Sequence, residues 1–231
     1  MLPILYQDEH LVAINKPHGL LVHRSPIASD ASEFAVQLLR NQLGQRVYPV
    51  HRLDRKTSGL LLFALDEATN ASVQGLFATG QVHKEYLAIV RGYTEDIFEI
   101  DYPLQREEGP RGQGTLQEAF TRGKTLGRTE LPIPFGRHAS SRYSLVELAP
   151  TTGRMHQLRK HMAHIFHPII GDRPHGCNKQ NRFFKEQFGL TSMLLHARLL
   201  TFTHPVQERE VSLTAPLSAE FEQMKRELGF E

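Results

Sequence analysis

The stretch His51-Arg52-Leu53-Asp54-Arg55-Lys56-Thr57-Ser58-Gly59 determines how the rest of the chain can be interpreted, because it joins a cluster of polar side chains to an apolar run. It contains three cations, a histidine, a carboxylate and two hydroxyls. The next six residues, 60–65, are all apolar, which is typical of a strand buried on both faces. Polar loops fastened to rigid strands often carry functional sites. Composition alone leaves two interpretations open: Asp54 is a functional carboxylate, or it forms a solvated salt bridge within a turn.

The length and composition favour one domain with its own core, or at most two small domains. The chain has 231 residues, of which 40% are apolar. Its net charge is +2 with neutral histidines. Its pI of about 8.7 lies below the value of about 9 that usually marks a nucleic-acid-binding domain. The mild basicity therefore does not identify a partner.

The cysteine content and the apolar runs predict the compartment. The single cysteine, Cys177, excludes an internal disulfide and argues against a cysteine-based zinc site. Asp8 and Lys16 interrupt the early apolar residues, so no signal peptide is predicted. No apolar run approaches the roughly 18 residues that a membrane-spanning helix requires. We expect a cytoplasmic protein without membrane contacts.

The hydrophobic periodicity predicts alternating short strands and helices, and hence a mixed α+β fold. Strands are predicted at residues 4–6, 11–14, 20–23, 60–65, 82–90 and 143–148. Helices are predicted at 32–43, from a cap at Asp66 to about 76, at 156–163, within 171–191, and from a cap at Ser218 to 228. The least regular part is 103–136, with a loop over 107–114 and a solvated hairpin over 122–129.

The stretch 51–59 resembles the H-R-L-D-x-x-T-S-G motif of the RluA-type pseudouridine synthases. Five further segments are similar to the same family and occur in the family's order, which makes the resemblance specific. They are Asn15-Lys16-Pro17, Lys84-Glu85-Tyr86-Leu87-Ala88, Gly153-Arg154-Met155-His156-Gln157-Leu158-Arg159, His167-Pro168-Ile169-Ile170-Gly171-Asp172 and Leu195-His196-Ala197-Arg198-Leu199. Residues 171–176 and 181–184 also resemble the branch of the family that modifies uridine 65 of tRNA. Ribosomal RNA remains the alternative substrate.

The resemblance implies a fold and a reaction. The fold is a central, largely antiparallel mixed sheet, flanked by helices and crossed by an active-site cleft. Residues 1–231 would form a single catalytic domain without an N-terminal S4-like domain, because the catalytic pattern starts at residue 2. The reaction isomerises uridine to pseudouridine, requires no cofactor or metal, and identifies the protein as an isomerase with a tRNA partner. We expect a monomer.

The resemblance also assigns catalytic residues. Asp54 would act as the nucleophile, or as the base that removes a ribose proton. Arg159 would pair with Asp54 and keep the carboxylate ionised in a buried site. Tyr86 would lie against the uracil ring, although a tyrosine in the middle of a strand is more often a core or rim residue. Lys16 has two interpretations of equal weight, a solvated loop cation and part of a loop beside the site.

A uridine within a stem must leave the stack to be modified, and the resemblance makes Arg52 the wedge that fills the gap. The predicted RNA-binding residues are Arg52, Arg55, Lys56, Arg154, His156 and Lys160. Residues 171–191 mix cations with phenylalanines, which suits backbone contact with base stacking but equally suits an ordinary amphipathic helix.

Two other classes of protein have some support in the sequence. A metal hydrolase could use His156, His161, His164 and His167, but their spacing matches no standard zinc motif, and a helix with histidines near RNA phosphates is preferred. A non-catalytic RNA-binding module would tolerate the loss of Asp54. The coexistence of Asp54, Tyr86 and Arg159 argues against it.

Overall fold

The computed structural model describes residues 1–24, 33–106, 114–136 and 138–230. The described residues form five helices and twelve strands, which confirms the α+β prediction. They divide into two compact units: Met1–Lys84 with His196–Ser218, and Glu85–Leu195 with Ala219–Glu231. The predicted helix start at Ser32 and residues 107–113 of the predicted loop lie outside the described residues.

The elements are numbered in chain order. Strands β1 to β6 are Ile4–Gln7, Leu11–Lys16, Tyr48–Pro49, Ser58–Ala64, His83–Arg91 and Ile97–Asp101. Strands β7 to β12 are Leu104–Gln105, Leu116–Gln117, Phe120–Leu131, Ser141–Pro150, Leu195–Thr203 and Glu210–Thr214. Helices α1 to α5 are Ala35–Leu43, Glu67–Ala78, Gln157–His164, Asn178–Phe188 and Ala219–Glu227. None of the described helices is long and apolar enough to cross a membrane.

The first unit is built around β4. Its strand order is β1-β2-β4-β11, with β3 also paired to β4 and β12 to β11. All seven residues of β4 are buried, which confirms the predicted core strand. The β4–β11 pairing is parallel, whereas the other pairings of this unit are antiparallel. The sheet is therefore mixed but largely antiparallel, as the resemblance implied.

In the first unit, the structure confirms the predicted start of α2 and contradicts one predicted strand. The side chain of Asp66 accepts a hydrogen bond from the Thr69 amide at 2.7 Å, so Asp66 caps α2 as predicted. The strand predicted at 20–23 is wrong. The carbonyls of Leu21 and Val22 instead accept hydrogen bonds from the Ala35 and Val36 amides at the start of α1.

The second unit has the strand order β5-β10-β9-β6 with antiparallel pairing. The solvated hairpin predicted over 122–129 is wrong, because these residues lie within the 12-residue strand β9. The alternating apolar residues expected of a strand are missing because threonines and glycines, such as Thr121 and Gly123, occupy the inward positions. A Cβ on Gly123 would lie 2.1 Å from the Phe98 ring, and one on Gly127 would lie 3.1 Å from Phe230. Aromatic rings from other elements therefore cover this face of β9.

The helices α3 and α5 are amphipathic in the predicted sense. Leu158 and Met162 of α3 are both buried. Phe221 and Met224 of α5 are buried, and Leu228 follows directly after the helix with 2% of its surface exposed. These contacts confirm the helical periodicity predicted for both segments.

Candidate active site

Asp54 is half-buried and opens a turn in which the Thr57 amide donates to the Asp54 carbonyl at 3.1 Å. Leu53 is buried directly before it, and Thr57 is buried directly after the turn. The apolar and hydroxyl side chains thus anchor the loop on both sides of the carboxylate. Rigid anchoring is what a residue that must hold a fixed geometry requires.

His51 anchors the beginning of this loop. Its Nε2 accepts a hydrogen bond from the Leu62 amide at 3.0 Å, and its ring stacks on Phe77 with centroids 4.8 Å apart. Burial, assisted by the positive charge of Lys84, lowers the pKa of His51 to about 3. The imidazole is therefore neutral at physiological pH and serves the architecture of the loop.

The end of the loop is fixed by contacts with β11. The Ser58 hydroxyl and His196 Nδ1 form a buried hydrogen bond of 2.9 Å. Gly59 has a φ of +105°, and a Cβ at this position would lie 2.2 Å from the Ala197 carbonyl oxygen. Only glycine combines this backbone conformation with such a close approach. The Ser-Gly pair of the motif is thus explained by the packing of β4 on β11.

Lys16 is fully buried, so its interpretation as a solvated loop cation is wrong. Its Nζ donates to the carbonyls of Pro17 and Leu20, each at 2.9 Å, and to that of Arg55 at 3.3 Å. Gly19 and Arg55 add two further hydrogen bonds, from the Gly19 amide to the Arg55 carbonyl at 2.8 Å and from Arg55 Nε to the Gly19 carbonyl at 3.1 Å. The lysine therefore holds the loop after β2 against the loop that bears Asp54.

The charge of Lys16 is sensitive to its surroundings. Burial lowers the pKa of the ammonium to about 7, and the negative charge of Asp54 opposes this shift. The two charges are thus close enough to interact within the first unit.

Arg159 of α3 forms a buried ion pair with Asp172. Its Nε and Nη2 donate to Oδ2 and Oδ1 of the carboxylate, each at 2.8 Å. The exposed fractions of the two side chains are only 5% and 1%. This two-point geometry fixes the plane of the guanidinium. Asp172 was contained in a matched segment of the sequence, but sequence reasoning assigned it no role.

The segment that carries Asp172 is itself closely held. Asn181 of α4 donates to the Asp172 carbonyl at 2.6 Å and accepts from the Gly171 amide at 2.8 Å. Gly171 has a φ of +84°, and a Cβ there would lie 2.2 Å from the Ser192 carbonyl oxygen. The buried carboxylate is therefore fixed by its main chain as well as by Arg159.

Tyr86 is half-buried on β5 and lies opposite Leu148 of β10. It packs against a hydrophobic cluster that includes Leu158 and Met162 of α3. The tyrosine thus shares a cluster with the helix that carries Arg159. Asp54 belongs to the first unit, whereas Tyr86 and Arg159 belong to the second, and the pairing of Asp54 with Arg159 stays a prediction.

The six residues predicted to bind RNA differ in their surroundings. Arg52 and Arg55 are exposed beside Asp54, whereas Lys56 and Lys160 are half-buried. Arg154 Nε donates to the Glu118 carbonyl at 2.9 Å, so part of its guanidinium is already engaged.

His156 is the sixth of these residues and has a specific partner. It adopts the left-handed conformation, with a φ of 56°, at the start of α3. Its Nδ1 lies 3.0 Å from His175 Nε2, which is hydrogen-bond distance. The histidine therefore connects the beginning of α3 to the segment that follows Asp172.

The remaining histidines of this region have structural contacts. His161 is fully buried, with Nδ1 2.9 Å from the Thr121 hydroxyl and Nε2 donating to the Tyr102 carbonyl at 3.0 Å. His164 stacks on Tyr102 with ring centroids 3.6 Å apart. His161 cannot face RNA phosphates, so the prediction of a helix with its histidines near RNA is wrong for this residue. Within the part of the chain that the structure describes, no group of three or more possible ligands could hold a metal ion.

Comparison with known proteins identifies the family. Residues 10–164 match the family model described as RNA pseudouridylate synthase. This match covers more than half of the sequence, so the chain belongs to the RNA pseudouridylate synthase family, whose members are isomerases. The prediction made from the six motifs is thereby confirmed.

Individual relatives extend this match to the whole chain. A protein named tRNA pseudouridine synthase C from Vibrio cholerae serotype O1 is 45% identical over 237 residues, covering 100% of this chain and 97% of the relative. A protein of the same name from Haemophilus ducreyi is 46% identical and covers 99% and 96% of the two chains. The solved structure of human RNA Pseudouridylate Synthase Domain Containing 4 has a TM-score of 0.73 and 28% identity, covering 98% of this chain and 93% of that chain.

Proposed function

We propose that this chain isomerises uridine to pseudouridine in tRNA, and that its target is uridine 65. The observation that carries the proposal is the full-length similarity, at 45% and 46% identity, to two proteins named tRNA pseudouridine synthase C. The choice of uridine 65 rests on the resemblance of residues 171–176 and 181–184. Residues 1–231 would act as a single catalytic domain, and the cytoplasmic location and monomeric state remain predictions.

The proposed reaction breaks the bond between N1 of uracil and C1′ of the ribose and forms a bond between C5 and C1′. C5 loses a proton and N1 gains one, so atoms and electrons balance without an oxidant or reductant. No cofactor or metal is part of the proposal. The protein must supply an ionised carboxylate, hold it in position and accept the C5 proton.

Asp54 is the proposed carboxylate. Its loop is anchored at both ends, and the buried Lys16 lies close enough for the charges to interact. Both routes stay open for Asp54, as a nucleophile at C1′ or as the base that removes a ribose proton.

Arg159 and Tyr86 would complete the site. The two-point ion pair with Asp172 holds Arg159 in position, and we propose that its guanidinium also pairs with Asp54. Arginine suits this position because its charge persists in a buried site and its planar donors can serve two carboxylates. Tyr86 would lie against the uracil ring, where it would either help to remove the C5 proton late in the reaction or order the site through its phenol.

The RNA must present its uridine outside the stack. Extrusion costs a few kcal/mol, which phosphate contacts would offset. We propose that the exposed side chain of Arg52 fills the gap and that nearby cations contact the backbone. The proposed backbone contacts are Arg55, Lys56, Arg154, His156 and Lys160.

The test uses tRNA transcribed without modifications and protein without added metal or cofactor. Pseudouridine is mapped by carbodiimide treatment and primer extension. We expect product at position 65 with the unmodified chain. With Asp54→Asn the rate should fall at least about a thousandfold, as for other essential catalytic groups.

Asp96→Asn is the matched control, because it makes the same chemical change at a side chain that is 85% exposed. This variant should retain the rate of the unmodified chain. Product at another tRNA position would contradict the assignment of uridine 65 alone. Product in ribosomal RNA but not in tRNA would contradict the proposed substrate, and full activity of Asp54→Asn would contradict the proposed catalytic residue.

A further inference from the structure

Within the second unit, basic side chains occur in two different electrostatic settings. The arginines of β9 and β10 are paired with acids: Arg122 Nε lies 3.1 Å from Glu99, and Arg128 Nη2 lies 2.6 Å from Asp96. Arg142 of β10 likewise pairs with Glu130 at 3.2 Å. These cations are largely neutralised by neighbouring carboxylates. They are poor candidates for binding a polyanion.

The outer side of α4 is different. Lys179, Arg182 and Lys185 are all exposed. Among the residues that the structure describes, none has a carboxylate oxygen within 4.0 Å of its charged nitrogen atoms. Their spacing of three residues places them along one oblique strip of the helix. We call these three residues the α4 basic face.

The opposite side of α4 is firmly packed. The Tyr143 hydroxyl donates to Gln180 at 2.7 Å in a buried hydrogen bond, and Phe184 is fully buried. Phe184 also contacts the rings of Phe183 and Phe188, with centroids 5.7 and 5.4 Å away. Residues 178–188 thus form an amphipathic helix, and the fully buried Phe184 cannot offer a base a stacking surface.

α4 is also connected to the buried ion pair. Asn181 bridges the Gly171 amide and the Asp172 carbonyl, and Asp172 holds Arg159. A polyanion bound to the outer side of α4 would therefore contact a helix whose inner side positions Arg159. A rigid helix gives such a contact a fixed register relative to the arginine.

We propose that the α4 basic face binds the phosphate backbone of the RNA substrate, at nucleotides outside the modified position. The inference rests on the proposed function, because it takes the partner to be RNA. Unpaired exposed cations release counterions from a nucleic acid, whereas cations already paired with carboxylates contribute little. Glu186 lies on the same side of the helix and reduces its charge, which leaves a net charge of about +2 by this count.

The experiment measures binding of a fluorescently labelled, unmodified tRNA transcript by anisotropy over a series of KCl concentrations. The test variant is K179A/R182A/K185A. The matched control is R122Q/R128Q/R142Q, which removes the same number of positive charges from the paired set. For the test variant we expect the slope of log K against log [KCl] to become shallower by about 0.9 for each phosphate that is no longer neutralised, and by about 2–3 in total. The control should keep the slope of the unmodified chain.

A third variant, K179R/R182K/K185R, keeps the charges and should keep the slope. The inference is overturned if the test variant has an unchanged slope, if the control variant changes it equally, or if the charge-keeping variant changes it as much as the test variant does. Thermal unfolding checks that all three variants are folded. Pseudouridine formation by the unmodified chain is measured on the same transcript. If the unmodified chain forms product but the test variant has an unchanged slope, only this inference is overturned. If the unmodified chain forms no product, the proposed function is overturned.

Discussion

The Asp54 loop of the first unit and the Arg159 region of the second unit hold their charged residues by different means. The Asp54 loop is anchored mainly through its main chain, whose carbonyls and amides bond to Lys16, Gly19 and within the turn itself. Arg159 is held by another side chain, the buried carboxylate of Asp172. One region depends on backbone geometry and the other on charge compensation.

The difference predicts which substitutions each region tolerates. A loop held by its main chain should be sensitive to changes in backbone conformation, as at Gly59. A buried ion pair should be sensitive to the removal of either partner, because the remaining charge loses its compensation. Disturbing either region should reduce the activity of the protein. Only in the second region should the removal of one charge lower the free energy of unfolding by several kcal/mol.

The largest effect is expected at the buried ion pair. Arg159→Met and Asp172→Leu should each lower the free energy of unfolding by about 3–5 kcal/mol, because each leaves an uncompensated buried charge. The double variant should lose less stability than the two single variants lose in sum, since it leaves no unpaired charge. Urea unfolding of all four proteins measures the coupling. We expect all three variants to be inactive on tRNA.

An exposed pair provides the control for this cycle. Arg122 and Glu99 lie 3.1 Å apart, with side chains 66% and 56% exposed. Replacing each of them with Gln should change the free energy of unfolding by only about 0–1 kcal/mol, because water screens the charges. Strictly additive effects at Arg159 and Asp172 would contradict the role assigned to the buried pair.

A smaller effect is expected where the Asp54 loop joins β4. Gly59→Ala should destabilise the fold by about 1–3 kcal/mol from backbone strain alone, since φ is +105° there. The new Cβ would also displace the Ala197 carbonyl, and with it the end of the Asp54 loop. The melting temperature and the rate of pseudouridine formation should therefore both fall.

Gly75→Ala is the matched control for this substitution. Gly75 lies within α2, and a Cβ added there would have no heavy atom of another side chain or strand within 4 Å. Alanine in a helix interior is favoured over glycine by about 0.5–1 kcal/mol, so this variant should be slightly stabilised. A Gly59→Ala protein as stable as Gly75→Ala would contradict the steric account of the loop.

The same comparison explains what could be predicted from the sequence. The Asp54 loop and β4 are contiguous, so their polar cluster and apolar run could be recognised in one segment. The cap of α2 and the apolar spacing of α3 and α5 are also local signals. These elements were predicted close to their observed bounds.

The features that were missed depend on contacts between distant segments. Lys16, at the end of β2, is buried and donates to the Arg55 carbonyl 39 residues further along the chain, whereas a lysine is usually solvated. Strand β9 lacks apolar alternation because Phe98 and Phe230 cover its glycines. The pairing of Arg159 with Asp172 joins a helix to a later loop. Composition and periodicity contain no signal for such pairings.

The smallest expected effect concerns the charge of Lys16 and appears as a pH dependence. Burial lowers the pKa of Lys16 from 10.5 to about 7 in the folded protein. Between these values the unfolded chain binds more protons than the folded one, so the contribution of Lys16 to stability rises with pH from about 7 to 10.5. Below about 7 both states carry the charge, and this contribution is constant. The slope cannot exceed about 1.4 kcal/mol per pH unit.

The comparison of the unmodified chain with Lys16→Met isolates this contribution, because the half-buried Lys84, whose pKa is also lowered, is present in both proteins. Urea unfolding at pH 6, 7.5 and 9 should show the stability difference shifting in favour of the lysine as pH rises, by less than about 3 kcal/mol in total. Methionine keeps the length of the side chain but cannot donate to the carbonyls of Pro17, Leu20 and Arg55. The loop should therefore loosen in Lys16→Met at every pH, with reduced pseudouridine formation. A pH-independent stability difference would show that Lys16 keeps its charge throughout, and would make its ammonium a permanent counterion for Asp54.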